Sequence, residues 1–311
     1  MRLSTVFLSF CILAVETSEG FVSHPSMVGI KTPHSLEKSL IATKDGVPTH
    51  YPKAFMNNAD STARRFSASS DLKESESTDW SVNPYFGGLA AAIMAYAFVF
   101  SPGQFFSDEE NQLLQAFLTN PTSPEGVAPL FSVVFNELGV VPMIMAALIF
   151  PQGSEKGLPA GPFAAASFFT GYFGLAPYLT FRAEPMESKT MSELAFIPRL
   201  LENKFVDWGI LGLAVSIPVT FGLFSSGDVS SLLNDYAEMA SNSKLVSVST
   251  ADLLTLTVAA SILIRRDYKL RVDEGRDDTE KTATLIAIAT ALFPVFGAGL
   301  YCALRPPLPE E

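Results

Sequence analysis

The chain alternates between long apolar blocks and shorter polar connections. Six blocks, most of them about 18–23 residues long, carry almost no charge, and a helix of about 20 apolar residues crosses a bilayer. The pattern therefore predicts an all-α fold, a polytopic transmembrane helix bundle of about six spans within residues 84–304. The predicted spans are residues 84–100, 128–150, 160–181, 206–224, 245–264 and 283–304.

Two of the polar connections have a helical periodicity of their own. In residues 107–118, Ser107 and Glu110 have the spacing of a capping box, and acidic residues fill the first turn. In residues 228–240, apolar residues recur at helical spacing from Val229 onward. Both patterns predict short amphipathic helices with acidic faces. Since acidic faces are not attracted to anionic lipid, we expect the first helix to pack on the protein's own loops or on a partner.

The second block carries a carboxylate near its middle, Glu137, which follows Asn136. An ionised carboxylate at the centre of a bilayer costs at least ~2.5 kcal/mol. One interpretation is an ion-binding or proton-binding group with Asn136 as a helper. The other is a neutral structural acid that is hydrogen-bonded to another span. Asp252, in the fifth block, is a second candidate for ion binding, and its alternative role is that of an interfacial acid near a helix start.

Two adjacent blocks contain the same glycine–proline spacing. Gly139 and Pro142 lie in the second block, and Gly174 and Pro177 lie in the third. Proline removes a backbone donor and frees a carbonyl one turn earlier, so both pairs are predicted helix breaks. Broken helices near a buried acid are typical of ion sites in transporters.

The N-terminal region has the composition of a targeting sequence. Residues 1–20 contain an apolar run of about 11 residues, which is typical of a signal peptide. Residues 21–70 are basic, rich in Ser and Thr and poor in acids, like a transit peptide, although an ordinary disordered secreted segment is the alternative. A leader followed by such a segment resembles the bipartite plastid-targeting presequence of algae with secondary plastids. Residues 71–83 form a polar lead-in, and residues 305–311 an acidic tail.

Composition excludes several kinds of chemistry. All three histidines lie in the N-terminal region, at His24, His34 and His50, and the apolar body contains a single cysteine, Cys302. Histidine-ligated metal sites and Ser-His-Asp catalysis are therefore excluded from that body. We expect no metal and no cofactor, and the formal net charge of −11 argues against a nucleic-acid partner.

The polar connections also predict an orientation. Residues 182–204 and 265–281 are the connections with the most basic residues, and the second holds six basic and six acidic side chains, as in a solvated loop. With six spans these two connections share a side, which the positive-inside rule assigns to the stroma or cytoplasm. The N-terminus would then lie across the membrane.

Several short motifs carry a resemblance to a known family. They run from Phe135-Asn-Glu-Leu-Gly-Val-Val-Pro142 through Leu158-Pro-Ala-Gly-Pro-Phe163 and Leu175-Ala-Pro-Tyr178 to Asp252-Leu-Leu-Thr-Leu256. Together they resemble an uncharacterised family of cyanobacterial and plastid polytopic membrane proteins without an assigned activity. The resemblance implies a multi-pass protein of a plastid membrane and implies no catalytic residues.

Two functions follow as hypotheses. The first is a non-enzymatic assembly or structural partner in a photosynthetic membrane, in contact with membrane lipid and with other plastid membrane proteins. The second is a small ion- or proton-coupled transporter that uses an intramembrane carboxylate. Residence in a membrane of the secretory pathway is the alternative to the plastid.

Overall fold

The computed structural model describes residues 82–308 except 106, 122–123, 153–157, 183–188, 225–227 and 273–277. The predicted signal peptide (1–20), the transit-like segment (21–70), most of the lead-in and the last three residues of the tail lie outside the described residues. The described part consists of helices joined by turns and contains no strand. The all-α prediction is therefore confirmed.

The helices follow one another in this order. They are α1 (Pro84–Ala95), a π-helix (Tyr96–Phe100), α2 (Asp108–Thr119), α3 (Pro129–Ile149), α4 (Ala160–Thr170), α5 (Tyr172–Phe181), α6 (Phe196–Leu201), α7 (Lys204–Thr220), α8 (Val229–Asn242), α9 (Lys244–Arg271), α10 (Thr279–Leu292) and α11 (Phe296–Leu304).

Helix α3 is the central helix of the bundle. It begins with Pro129, whose missing N–H suits the first turn of a helix. No residue of α3 is exposed, and Ile144, Met145, Leu148 and Ile149 are completely buried. A helix that is apolar on every side must be enclosed by other elements. Helices α4, α7, α8, α9 and α11 provide that enclosure.

At one end of the bundle, the carboxylate of Glu110 binds the start of α9. It accepts hydrogen bonds from the Ser243 hydroxyl at 2.9 Å and from the backbone N–H groups of Lys244 and Leu245 at 2.7 and 3.0 Å. The Lys244 ammonium donates to the Ser101 hydroxyl, just after the π-helix, at 2.8 Å. We call this region the Glu110 end. Here the end of the π-helix, the start of α2 and the start of α9 meet.

At the other end, two buried arginines and Lys204 tie four helices together. Arg305, after α11, donates to the carbonyl of Ala147 in α3 at 2.9 Å, and Arg271 in α9 donates to the carbonyl of Pro306 at 2.9 Å. Lys204, the first residue of α7, donates to the carbonyl of Arg305 at 2.8 Å. We call this region the arginine-rich end. The helices α3 and α9 therefore run in the same direction, and α7 runs opposite to them.

The predicted third span is a hairpin. Helices α4 and α5 fold back on each other at Gly171, so that α5 returns to the arginine-rich end. There Arg182 donates to the Gln152 side chain at 3.2 Å, and Gln152 donates to the carbonyl of Leu263 in α9 at 3.3 Å. The start of α1 lies beside the end of α5, because the N–H of Asn83 donates to the carbonyl of Thr180 at 2.8 Å. Each arm of the hairpin is about 15 Å long.

The predicted sixth span is a second hairpin, formed by α10 and α11. The arms cross closely, since a Cβ atom on Gly297 would lie 2.7 Å from the backbone of Thr290. Helix α10 begins beside the end of α9, where Glu280 pairs with Arg265 and Lys269. Hydrogen bonds from these two cations lower the pKa of Glu280 to about 2. Helix α11 ends at the arginine-rich end, so the hairpin starts and finishes at that end.

Within the described ranges, two helices, α3 and α9, have the length and composition needed to cross a membrane. The expected number was about six, and the difference has a clear cause: two predicted spans are split into hairpins, and two are helical segments of about 17 residues. Helix α9 is the longest of the described helices, because it continues beyond the predicted span of residues 245–264 to Arg271, through part of the predicted solvated loop.

The amphipathic helices form where they were predicted. The Ser107 hydroxyl accepts the N–H of Glu110 at 3.3 Å, and Asp228 accepts the N–H of Ser230 at 3.0 Å, so each helix has a side-chain N-cap. The predicted orientation needs a correction. The start of α1 lies at the arginine-rich end, on the same side as the basic connections, because the α4–α5 hairpin returns to that end and so removes one passage between the ends.

Candidate functional site

The most distinctive site in the bundle is the contact between Asp252 and the tip of the α4–α5 hairpin. Asp252 lies on the side of α9 that faces the hairpin and is 5% exposed. Its Oδ1 accepts a hydrogen bond from the backbone N–H of Tyr172, the first residue of α5, at 2.8 Å. A carboxylate at a helix N-terminus is stabilised by the free N–H groups and the helix dipole. Asp252 therefore acts as the N-terminal cap of a helix 80 residues away in sequence.

The tip requires glycine at position 171 for two reasons. Gly171 has φ 59° and ψ −133°, a backbone conformation that is essentially restricted to glycine. A Cβ atom there would also lie 1.6 Å from Oδ2 of Asp252. The chain can thus reverse direction and bring its N–H groups against the carboxylate only because no side chain intervenes.

Further contacts hold the hairpin in place. The Tyr172 hydroxyl donates to the carbonyl of Phe86 in α1 at 2.9 Å. Gly174 allows the two arms to approach, since a Cβ atom on it would lie 2.7 Å from the backbone nitrogen of Ser167. The tip is therefore attached to both α1 and α9.

The residues predicted as helix breaks lie inside continuous helices in the structure. Helix α3 continues through Gly139 and Pro142, and α5 continues through Gly174 and Pro177, so neither pair ends a helix. The actual interruption is at Gly171, three residues before the second pair. The physical reason is that a proline inside a helix removes one hydrogen bond, whereas reversal of the chain requires a positive φ.

Glu137 is buried in α3 and 5% exposed. Its Oε2 has no hydrogen-bond partner within the described part of the chain. Asn136, the predicted helper, donates instead to the carbonyls of Ser132 at 2.7 Å and Pro121 at 3.5 Å. Asn136 therefore binds backbone and makes no described bond to Glu137.

The two predicted acidic residues lie at different depths. The Gln152–Leu263 contact aligns α3 with α9, and at about 1.5 Å per residue Glu137 lies about 6 Å nearer the Glu110 end than Asp252. No described hydrogen bond joins them. A groove between the π-helix, α8 and α9 is lined by neither acid, although it includes Ala251. The structure thus shows two separate buried acids in place of one paired site.

Sequence reasoning missed a buried ionic cluster at the arginine-rich end. The guanidinium of Arg271 binds both carboxylate oxygens of Glu202, at 2.7 and 3.0 Å, and its Nε donates to Asp267 at 2.8 Å. The Tyr301 hydroxyl also donates to Asp267 at 2.8 Å. The helical spacing of Asp267 and Arg271 could have indicated this ion pair. Both residues lie, however, in a connection whose composition predicts a solvated loop.

Arg305 extends the same cluster. Its NH2 lies 3.0 Å from Glu202 and 3.6 Å from Asp207, and Lys204 lies 3.9 Å from Asp207. Three acids thus face three cations, and all except Lys204 have buried side chains. Balanced and paired charges are tolerated in the interior, and removal of one partner is costly. This cluster joins α6, α7, α9 and α11, and its charges face one another, although neither carboxylate oxygen of Asp207 has a hydrogen-bond partner within the described residues.

No group of three His, Cys, Asp or Glu side chains in the described ranges is placed to hold a metal ion. Comparison of the chain with protein-family models, with curated proteins and with solved structures finds no match. We therefore infer the function from the geometry of this chain.

Proposed function

We propose that this protein is a multi-pass protein of a plastid membrane, where it serves as a non-enzymatic assembly or structural partner of other membrane proteins. The observation that carries the proposal is the apolar character of the outer surface. After Lys204, the exposed positions of α7 carry no charge and include Phe205, Trp208, Val215 and Val219. A surface of this kind marks contact with lipid or with another protein.

Other helices repeat this property. The exposed positions of α1 and its π-helix carry no charged residue, and those of α10 carry none after Lys281. They include Phe98, Phe100, Leu285, Ile288 and Leu292. Helix α3 is enclosed, so its apolar composition would suit a soluble core equally well. The exposed faces of the surrounding helices favour the membrane.

Apart from the buried acids Glu137 and Asp252, the charged residues lie toward the two ends, as expected for a bundle that crosses a bilayer. Every described Lys and Arg except Lys244 lies at the arginine-rich end. In the proposed arrangement α1 with its π-helix, α3, α7 and α9 cross the membrane, and the two hairpins enter it from the arginine-rich end. By the positive-inside rule this end faces the stroma or cytoplasm.

Several of the buried charged groups in the described interior hold helices together, and this supports a structural role over an enzymatic one. Asp252 caps α5, and the cluster around Arg271 is mutually paired. The plastid assignment comes from the N-terminal composition and from the family resemblance of the motifs.

Membrane integration and partner binding can be tested one after the other. The tagged full-length protein should stay in the membrane fraction after alkaline carbonate extraction. After mild detergent extraction from native plastid membranes, it should migrate in a complex larger than its own mass and co-purify with defined membrane proteins. A chain released by carbonate would contradict the membrane assignment, and a chain that migrates alone would contradict the assembly role.

Ion- or proton-coupled transport is a second candidate, favoured by Glu137. This carboxylate is buried without a described hydrogen-bond partner on Oε2, in a bundle that contains two half-length helical hairpins. Such hairpins and buried acids are combined in transporters. Glu137→Gln in reconstituted vesicles should abolish pH-dependent flux, whereas Glu125→Gln, at an exposed acid, should leave it intact. Equal flux in both variants would exclude a coupling role for Glu137.

A further inference from the structure

A groove opens near the Glu110 end, where the π-helix, α8 and α9 meet. It has a volume of about 520 Å³, and small side chains such as Ala237 and Ala240 make room between two tyrosines, Tyr96 and Tyr236. Tyr96 is the first residue of the π-helix, an irregularity that often occurs at functional sites.

The groove offers more hydrogen-bond acceptors than donors. The Thr250 hydroxyl donates to the carbonyl of Val246 at 2.6 Å, so the neighbouring Tyr236 hydroxyl must donate to Thr250 and keeps its own lone pairs free. The hydroxyls of Tyr96 and Ser247 bond each other at 2.5 Å, which leaves one hydrogen of the pair for a ligand. A bound group with several hydroxyls can donate to the free lone pairs and accept the single hydrogen.

The charge of the surroundings disfavours an anionic ligand. No Lys, Arg, Asp or Glu belongs to the described lining. The nearest lysine in sequence, Lys244, is buried and donates to the carbonyls of Ala97 and Ser101 and to the Ser101 hydroxyl. The exposed charges on α8, Asp235 and Glu238, are acidic. A phosphate or sulfonate would meet acceptors and negative charge here.

An apolar stripe leads away from the groove along α9. Ala251 and Leu254 line the groove, and Val258 follows at helical spacing toward the arginine-rich end. Leu254 and Val258 are 55% and 44% exposed, on the outer surface of the bundle. The polar mouth at one end and the apolar stripe beyond it match the two parts of a lipid.

We propose that this groove binds a lipid with an uncharged, hydroxyl-rich headgroup of the glycosyl diacylglycerol class. The sugar lies against Tyr96 and Tyr236, and one acyl chain follows Leu254 and Val258. The proposal rests on the membrane placement proposed above, and it adds a specific lipid site to it.

The test uses purified full-length protein incubated in detergent with an equimolar mixture of digalactosyl diacylglycerol, phosphatidylcholine and phosphatidylglycerol that share the same acyl chains. Lipid retained after washing is counted by native mass spectrometry. We expect about tenfold preferential retention of the galactolipid, the effect of one or two additional hydrogen bonds. Retention of phosphatidylglycerol at the same level or above would overturn the proposal.

Two variants and a control locate the site. Ala237→Trp fills the groove from an exposed position and should remove the preference, whereas Ala289→Trp, at an exposed position of α10, should keep it. Tyr236→Phe, which removes one acceptor, should reduce galactolipid retention about fivefold. If Ala237→Trp retains the lipid as the unmodified chain does, the groove is not the site. Alkaline carbonate extraction distinguishes the two possible failures. Release of the protein by carbonate would contradict the membrane assignment, whereas a protein that stays in the membrane but does not bind the lipid in the groove would contradict the lipid site alone.

Discussion

Replacement of Gly171 with alanine tests whether the hairpin tip is built on a glycine conformation and on Asp252. The new Cβ would occupy the place of the Asp252 carboxylate, since it would lie 1.6 Å from Oδ2. Asp252 would have to move, and the 2.8 Å hydrogen bond from the N–H of Tyr172 would break. The tip of α5 would then lose its cap inside the bundle.

The expected loss in the free energy of unfolding has two parts. A non-glycine residue in the backbone conformation of Gly171 costs about 1–3 kcal/mol. Loss of a hydrogen bond to a charged group costs about 1.5–3 kcal/mol. Together they predict that Gly171→Ala lowers the free energy of unfolding by about 2.5–6 kcal/mol. At about 2–4 °C per kcal/mol, the melting temperature should fall by about 5–24 °C.

Thermal unfolding of the detergent-solubilised protein, followed by circular dichroism at 222 nm, measures this change. In an Asp252→Ala background the obstruction is gone, so Gly171→Ala should then cost about 1–3 kcal/mol, the backbone part alone. Gly88→Ala is the matched control. A Cβ on Gly88 meets nothing within 4 Å, and alanine favours a helix by up to about 1 kcal/mol. If Gly171→Ala lowered the free energy of unfolding equally in both backgrounds, Asp252 would have no part in the effect. If Gly171→Ala left the melting temperature within 2 °C of that of the unmodified protein, the tip would not require glycine at all.

Three further predictions concern the arginine-rich end and the second hairpin. Arg271→Met should destabilise the protein by about 3–5 kcal/mol, because it leaves the buried carboxylate of Glu202 without its bidentate partner. Arg271→Lys should recover only part of the lost stability. Full recovery of the melting temperature in Arg271→Lys would contradict the bidentate geometry. The pKa of Glu280 is lowered to about 2, so the stability from its ion pairs is present above the ordinary carboxyl pKa and is lost as pH falls through about 2. Glu280→Gln should therefore be less stable than the unmodified chain at pH 7 and equally stable near pH 2, and a constant difference across a pH series of melting temperatures would disprove this. Gly297→Ala should destabilise the protein more than Gly88→Ala does, because its Cβ would lie 2.7 Å from the backbone of Thr290; equal melting temperatures would show that the hairpin arms can separate at no cost.

The sequence predicted helix positions well. The amphipathic helix predicted over residues 107–118 forms as α2, Asp108–Thr119, and the one predicted over residues 228–240 forms as α8, Val229–Asn242. Their capping residues and apolar spacing are local properties, so the neighbouring residues contain the information. The central block of residues 128–150 is likewise the helix α3.

The candidate site was predicted only in part. Asp252 was identified from its unfavourable position in an apolar block, but its partner was not, because Gly171 and Asp252 are far apart in sequence and a glycine in a membrane helix is common. The ionic cluster was missed for the same reason. Arg271, Glu202 and Arg305 come from three separate polar connections, and each connection appears solvated when considered alone.

Local residue patterns are enough to show that the chain is helical, that its central helix is largely apolar and that its charges are concentrated between the apolar blocks. Whether an apolar block passes through the bundle or turns back within it depends on contacts between distant residues. Hydrophobicity is a property of each residue and gives no direction to the chain. Direction changes at Gly171, where glycine permits a positive φ and a carboxylate from α9 receives the N–H group of Tyr172.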